Sequence, residues 1–345
     1  MGLNHPENLD DWMAWQRRRT SIVRRVRGAF AGDPPPPVLT APTGDIDVLV
    51  SIQSTNASNL AALVDPIRAA GALRVGVLAD HGVEDLLGDD VASGPVASVE
   101  AVAASHGAVP VVVVPSGVAR AHRWAIEAAR QSGGSTFVVQ HGLLTPFTPP
   151  LPTECTLLAW SEADGEFWRA GRRDVEVQVV GSQLLWNAAR RKSPATDTSA
   201  RPTFLGQLHA AEISRRELAR VSFGFCRDHD AVYRPHPSEV DKVSRVQHAL
   251  WQRRGIEFDT SGVRLEDLAT PVAAIFSTGI LEAAANGRPA WAYHPDPPAW
   301  VAEMWDRYGL QRWGQEPTAP PSLPAVEPAV RIAEILAAAV SSQET

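Results

Sequence analysis

The sequence predicts two α/β domains of the doubly wound kind, each a parallel sheet with helices on both faces. Three observations predict this. Short β-branched runs alternate with helical stretches from Asp47 onward, and a polar, poorly periodic segment at 186–202 divides that alternation in two. Residues able to carry chemistry stand just after the strands, at the carboxyl ends where such folds bind ligands.

In the first half, strands are expected at Val48 to Ile52, Arg74 to Leu78, Val109 to Val114, Thr136 to Gln140, Thr156 to Trp160 and Val175 to Val180. Helices are expected between them at Asn59 to Ala70, Val96 to His106, Val118 to Gln131 and Ala163 to Ala170. In the second half, strands are expected at Thr203 to Leu205, Ala231 to Tyr233, Ile256 to Phe258, Val272 to Phe276 and Ala290 to Tyr293. Helices at Ala211 to Asp228, Val240 to Arg253 and Ile280 to Ala285 accompany them, and an apolar helix at Ala325 to Val340 ends the chain. The expected organisation is a segment 1–37, a first domain 38–185, a linker 186–202, a second domain 203–323 and a helix within 324–345. Two such domains would face each other across a cleft.

The chain has 345 residues, enough for two cores, and 44% of them are hydrophobic, as in a globular protein. No apolar run approaches the roughly 20 residues that span a bilayer, and no basic-then-apolar leader opens the chain. A cytoplasmic location is expected. Cys155 and Cys226 offer neither a disulfide framework nor a metal-ligand spacing and read as buried thiols. The net charge of -7 argues against nucleic acid as a partner.

Basic charge is nonetheless concentrated near the N-terminus, where Arg17, Arg18, Arg19, Arg24, Arg25 and Arg27 occur without an acid between them. Trp12, Trp15, Ile22, Val23, Val26 and Phe30 recur at helical spacing, so residues 9–30 predict an amphipathic helix. Its apolar face could lie on the inner face of the cell membrane, on the protein's own body, or on a second copy in a homodimer. Pro34 to Pro37 then form a stiff spacer.

Three constellations could carry chemistry. Ser277-Thr278-Gly279, between the strand ending at Phe276 and the next helix, form a turn whose hydroxyls could cap that helix. The free N–H groups of its first turn would attract a phosphate, and Glu282, one turn in, could accept hydrogen bonds from ribose hydroxyls. Tyr233-Arg234-Pro235-His236-Pro237 holds Arg234 and His236 two residues apart in an extended loop, able to neutralise charge on a leaving phosphate. Gln140-His141-Gly142 follows a strand and precedes the loop Thr145 to Pro150; His141 could act as general base toward a hydroxyl. The loop Gln53-Ser54-Thr55-Asn56, with Gln140, could seat an acceptor. Asp45, Asp47, Asp228, His229 and Asp230 read as turn and cap residues, so no metal is expected, and no cofactor beyond a nucleotide-activated donor acting as substrate.

The order of these motifs resembles two-domain glycosyltransferases of the GT-B fold, with two Rossmann-like domains. It is most similar to the CDP-glycerol glycerophosphotransferases of teichoic acid synthesis and the bacterial sialyl- and polysialyltransferases. That resemblance implies His141 as base, with His236-Pro237 and Ser277-Thr278 on the donor phosphates. Trp160-Ser161-Glu162 to Trp168 and Val179-Val180-Gly181 look like the end of the first domain in those families. Gln140 departs from the tryptophan frequent in the teichoic acid enzymes, and the acidic pair before a glycine of the sialyltransferases is absent. The function this implies is transfer of a sugar or glycerol phosphate from a nucleotide-activated, cytidine-type donor to a glycan or lipid-linked acceptor in cell-surface polysaccharide synthesis. A non-hydrolysing nucleotide-sugar 2-epimerase or a non-catalytic binding protein of the same fold are the alternatives.

Overall fold

The computed structural model describes residues 2–19, 35–88, 90–191 and 200–343. The basic residues Arg24, Arg25 and Arg27, with Ile22, Val23, Val26 and Phe30, lie outside the described residues, as does most of the segment expected as a linker, 192–199. The chain forms two compact α/β units, as the alternation predicts: Gly2–Leu184 with Leu323–Thr345, and Leu185–Ser322.

In the first unit an eight-stranded sheet holds β1 (Val38–Ala41), β2 (Val48–Ser51), β3 (Val75–Ala79), β4 (Ala92–Pro95), β5 (Val111–Val114), β6 (Ser135–Val139), β7 (Cys155–Ala159) and β8 (Glu176–Val179). The strand order is β4-β1-β3-β2-β5-β6-β7-β8. The six expected strands all form and pair in parallel. β1 and β4 are additions, with β1 antiparallel to both β3 and β4. They were missed because β1 directly follows the prolines and Ala92-Ser93-Gly94-Pro95 contains no β-branched residue. Alternate residues of β2, Val48 and Val50 against Leu49, go to opposite faces, where two separate apolar cores are built. Ile332, Leu336 and Val340 of the last helix, Pro328–Gln343, complete one of these cores.

The second unit is built on a four-stranded parallel sheet of β9 (Thr203–Leu205), β10 (Val232–Arg234), β11 (Val272–Ala274) and β12 (Ala290–Ala292), in the order β10-β9-β11-β12. Phe204, Phe225, Tyr233, Trp251 and Trp305 fill its core. The strand expected at Ile256 to Phe258 is reduced to one bridge, Tyr233 to Phe258. The chain turns away there because Asp259 binds Arg234 and the Ser261 amide. Three helices among the described residues depart from expectation: the short Glu84–Leu87 and Ala299–Arg307 are additions, and Gln183–Arg190 runs into the segment read as a linker.

In each sheet the chain leaves one strand for a neighbour on one side and later returns on the other. These reversals fall between β2 and β5 and between β9 and β11. Ligands of doubly wound sheets bind at the carboxyl ends of such strand pairs.

Candidate functional site

In the second unit, three loops after β9, β10 and β11 are tied together at the sheet's carboxyl end. The chain leaves β9 through Gly206, where any Cβ would overlap the Tyr233 hydroxyl, so only glycine fits. Tyr233, fully buried in β10, donates that hydroxyl to the Glu239 carboxylate at 2.9 Å. The same buried carboxylate accepts from the Leu208 amide at 2.9 Å and lies 3.0 Å from His248 Nε2. Glu239 therefore fastens the β9 loop to the β10 loop. Gln207 fastens the β9 loop to the β11 loop, its Oε1 accepting from the Phe276 amide at 3.0 Å.

On this frame the imidazoles of His209 and His236 stack with ring centroids 3.8 Å apart. Burial holds the pKa of His236 below its usual value, with Glu239 opposing, so the ring is neutral near pH 7. Its Nδ1 accepts the Ser238 amide at 3.1 Å, which leaves the proton on Nε2 and makes that atom a hydrogen-bond donor.

Ser277 and Thr278 stand at the start of helix Gly279–Ala285, but they do not cap it through both hydroxyls. Thr278 has helical backbone angles and makes no side-chain cap, while Ser277 Oγ accepts from the Gly279 amide at 3.1 Å. The Ile280 and Glu282 amides bond to the carbonyls of Ser277 and Thr278. The expected cradle of free N–H groups is thus largely closed by the turn itself, which shifts the polar face of this turn to its hydroxyls. A Cβ at Gly279 would crowd the Leu205 and Leu265 methyl groups, so a side chain here would have to push both leucines aside.

Arg234 also departs from expectation. Its Nη1 pairs with Asp259 Oδ2 at 2.5 Å and its Nη2 donates to the Val263 carbonyl, so in this structure its guanidinium anchors the 259–263 loop.

Glu282 is electrostatically coupled to Arg288, a buried cation near the end of the same helix. Arg288 is 2% exposed, and its Nε, Nη1 and Nη2 are all buried without a hydrogen-bond partner. Burial raises the Glu282 pKa from 4.5 to about 7, with Glu266 adding to the rise and Arg288 opposing it. Folding therefore favours the protonated carboxyl: the stability it contributes is complete below pH 4.5 and is lost as pH climbs through about 7. Glu282→Gln should remove that loss, making the variant more stable than the wild type near pH 8 by up to about 3 kcal/mol in urea denaturation, with no gain near pH 4. An equal effect at both pH values would contradict the assignment.

In the first unit, His141 follows β6 and lines a cavity of about 10 Å³, room for one water, together with Ser58, Gln140, Ser182 and Gln183. Burial lowers its pKa, so the ring is neutral and able to accept a proton at neutral pH. His122, buried behind it in helix Arg120–Ser132, has its pKa lowered to about 4, first by burial and then by His141. Ser116 Oγ stands 3.4 Å from His122 Nδ1, at the carboxyl end of β5.

Gln140 is tied into the fold through both its amide nitrogen and its oxygen. It is 1% exposed, its amide donates to Gly142 and Asp164 at 3.1 and 3.0 Å, and its oxygen accepts from the Trp160 amide at 2.8 Å. Asn56 likewise serves as a helix N-cap, its Oδ1 accepting from the Asn59 amide at 2.9 Å. Ser54 Oγ accepts the Asn56 amide at 3.3 Å, and Gln53 is exposed at the end of β2, where the strand order reverses.

The helix Leu9–Arg19 lies on the protein's own body. Trp12 Nε1 donates to the Phe147 carbonyl at 2.7 Å and Trp15 stacks on the Phe147 ring at 4.9 Å, bracing the proline-rich loop after His141. These two tryptophans are not presented to a membrane. Cys155 and Cys226 are free, buried thiols, each raised to about 12 chiefly by burial. Among the described residues, no three His, Cys, Asp or Glu side chains gather in a group able to hold a metal ion, and no helix is long and apolar enough to cross a membrane.

His209, Glu239 and Arg288 were not legible as site residues. The available signal was positional: Gly206-Gln207-Leu208-His209 follows its strand just as His236 and Ser277 follow theirs.

No protein-family model and no curated protein sequence matches the chain. Among solved structures, it is similar to a glycosyltransferase from Rickettsia africae ESF-5, with 10% identity and a TM-score of 0.44 over 87% of this chain and 94% of that one. It is also similar to Anabaena Alr3699/HepE in complex with UDP, with 13% identity and a TM-score of 0.41 over 87% of this chain and 91% of that one.

Proposed function

We propose that the chain is a metal-independent transferase of the GT-B glycosyltransferase kind. It would move a sugar or glycerol phosphate from a nucleotide-activated donor, a cytidine nucleotide by the motif resemblance, to a hydroxyl of a glycan or lipid-linked acceptor. The observation that carries the reading is the assembly of the His209–His236 stack and the Ser277-Thr278 hydroxyls at the β9/β11 strand reversal, held by Glu239 and Gln207.

In this reading His141 accepts the proton of the acceptor hydroxyl. The freed oxygen bonds to the donor's reacting carbon or phosphorus, and the bond from that centre to the leaving nucleotide breaks. The electron pair departs on a phosphate oxygen, where the neutral His236 Nε2–H and the Ser277 and Thr278 hydroxyls donate hydrogen bonds. Glu282 receives the ribose hydroxyls. Arg234 positions the 259–263 loop.

Incubation with CMP-, CDP- and UDP-activated donors should release free nucleotide in proportion to added acceptor. Conversion of the donor to an isomeric sugar nucleotide with no acceptor present would instead indicate the epimerase, and no conversion of any donor the binding form.

A further inference from the structure

Helix Lys242–Arg253, which follows β10, presents a face that the transferase reading does not use. Val243 is 61% exposed, Val246 70%, Leu250 42%, and Val240, just before the helix, 71%. At 100° per residue, Val243, Val246 and Leu250 fall within one narrow arc, turned away from buried Ser244 and Trp251 and lying between that buried face and the far side of the helix. β-Branched valine is a weaker helix former than alanine, lysine or glutamate, so valines on a solvent face serve no local purpose. Beside this strip runs a second one of Lys242, Arg245 and Arg253, all exposed, and the helix contains no acid. Asp241, the nearest acid, is taken up in capping the helix at Val243 and Ser244.

We infer that this helix is a docking surface for an anionic lipid bilayer, lying in the headgroup plane with Val240, Val243, Val246 and Leu250 inserted and Lys242, Arg245 and Arg253 on lipid phosphates. The charge pattern selects this occupant. The chain as a whole carries -7, so a row of cations on one helix departs from its general balance. A second copy would bring the two basic rows toward each other, and the four apolar side chains cover well under the ~800 Å² per partner of a stable protein interface. A polyanion such as nucleic acid would use the cations and leave the valines in water. The combination of an apolar strip and a flanking basic strip is what an interfacial helix requires. The inference does not rest on the transferase reading, because vesicle binding is measured without substrate.

The test is co-sedimentation of the full chain with phosphatidylcholine vesicles, with and without phosphatidylglycerol, for the wild type, the double variant V243D/V246D and the double variant K242E/R245E. All substituted side chains are exposed, and unchanged melting temperatures confirm folding. The wild type should bind the anionic vesicles, and each double variant should bind them about tenfold or more weakly. Absence of wild-type binding, or binding that both variants retain, would overturn the inference. So would a dimer in sedimentation velocity that V243D/V246D dissolves while vesicle binding is unchanged, which would assign the strip to a second copy.

Discussion

Glu239→Leu should lower the stability of the second unit by about 3–5 kcal/mol, the usual result of removing one member of a buried charged hydrogen-bond set. The carboxylate is 4% exposed and serves the Tyr233 hydroxyl, the Leu208 amide and His248 together. Leucine keeps the bulk but leaves three polar groups in the interior unpaired, and each lost partner carries a desolvation cost of about 1–3 kcal/mol. The variant should also lose nucleotide affinity, since the β9 and β10 loops are no longer fastened to each other. Glu239→Gln, which keeps one carbonyl acceptor, should cost clearly less. Urea denaturation followed by tryptophan fluorescence reads this directly, and a loss under about 1 kcal/mol for the leucine variant would show that the carboxylate does not organise the loops.

His141→Ala should reduce turnover by about 10²–10⁴-fold, the contribution of a positioned general base, with little change in donor affinity. Its pH dependence follows from burial. Because the folded-state pKa lies below the ordinary 6.5, the ring stays neutral and competent as pH falls below that value. Wild-type rate should therefore persist further into acid than an exposed histidine would allow. His122 acts in the same direction on stability. Its pKa falls from 6.5 to about 4, so the stability from keeping it neutral is complete above 6.5 and lost as pH falls through about 4. Rate and fold are separated by following tryptophan fluorescence at each pH, since the His122 contribution starts to fall away below 6.5.

Much of the fold was legible because parallel strands buried on both faces read as β-branched runs, as Val111–Val114 does. β4 was not legible, since an edge strand of Ala, Ser, Gly and Pro takes its conformation from pairing with β1 rather than from its own side chains. The site was legible as positions more than as roles. His141, His236 and Ser277 stand out in the sequence because they follow strands. Gln140 and Arg234 look free in a sequence because polar side chains at strand ends show no partner there, whereas each is held by a residue distant in the chain. Arg234 is held by Asp259, and Gln140 by Asp164 and Trp160. His209 and Glu239 gain meaning only from loops that are distant in the chain and adjacent in the sheet.

Glu282 and Arg288 illustrate a trade between stability and binding. A carboxyl held up to about 7 beside a buried guanidinium with no hydrogen-bond partner destabilises the fold at neutral pH. Such pairs are retained where a ligand supplies the missing partners. Glu282→Gln should therefore gain stability near pH 8.

The central claim is that the second unit binds an activated nucleotide at the β9, β10 and β11 loop ends. Isothermal titration calorimetry of CMP, CDP and UDP against the wild type and the variants His236→Ala and Ser277→Ala tests it most directly. At least one nucleotide should bind the wild type, and each variant should bind it at least tenfold more weakly, a loss of about 1.4 kcal/mol or more. Binding of none of the three, or equal binding by all three proteins, would contradict the account.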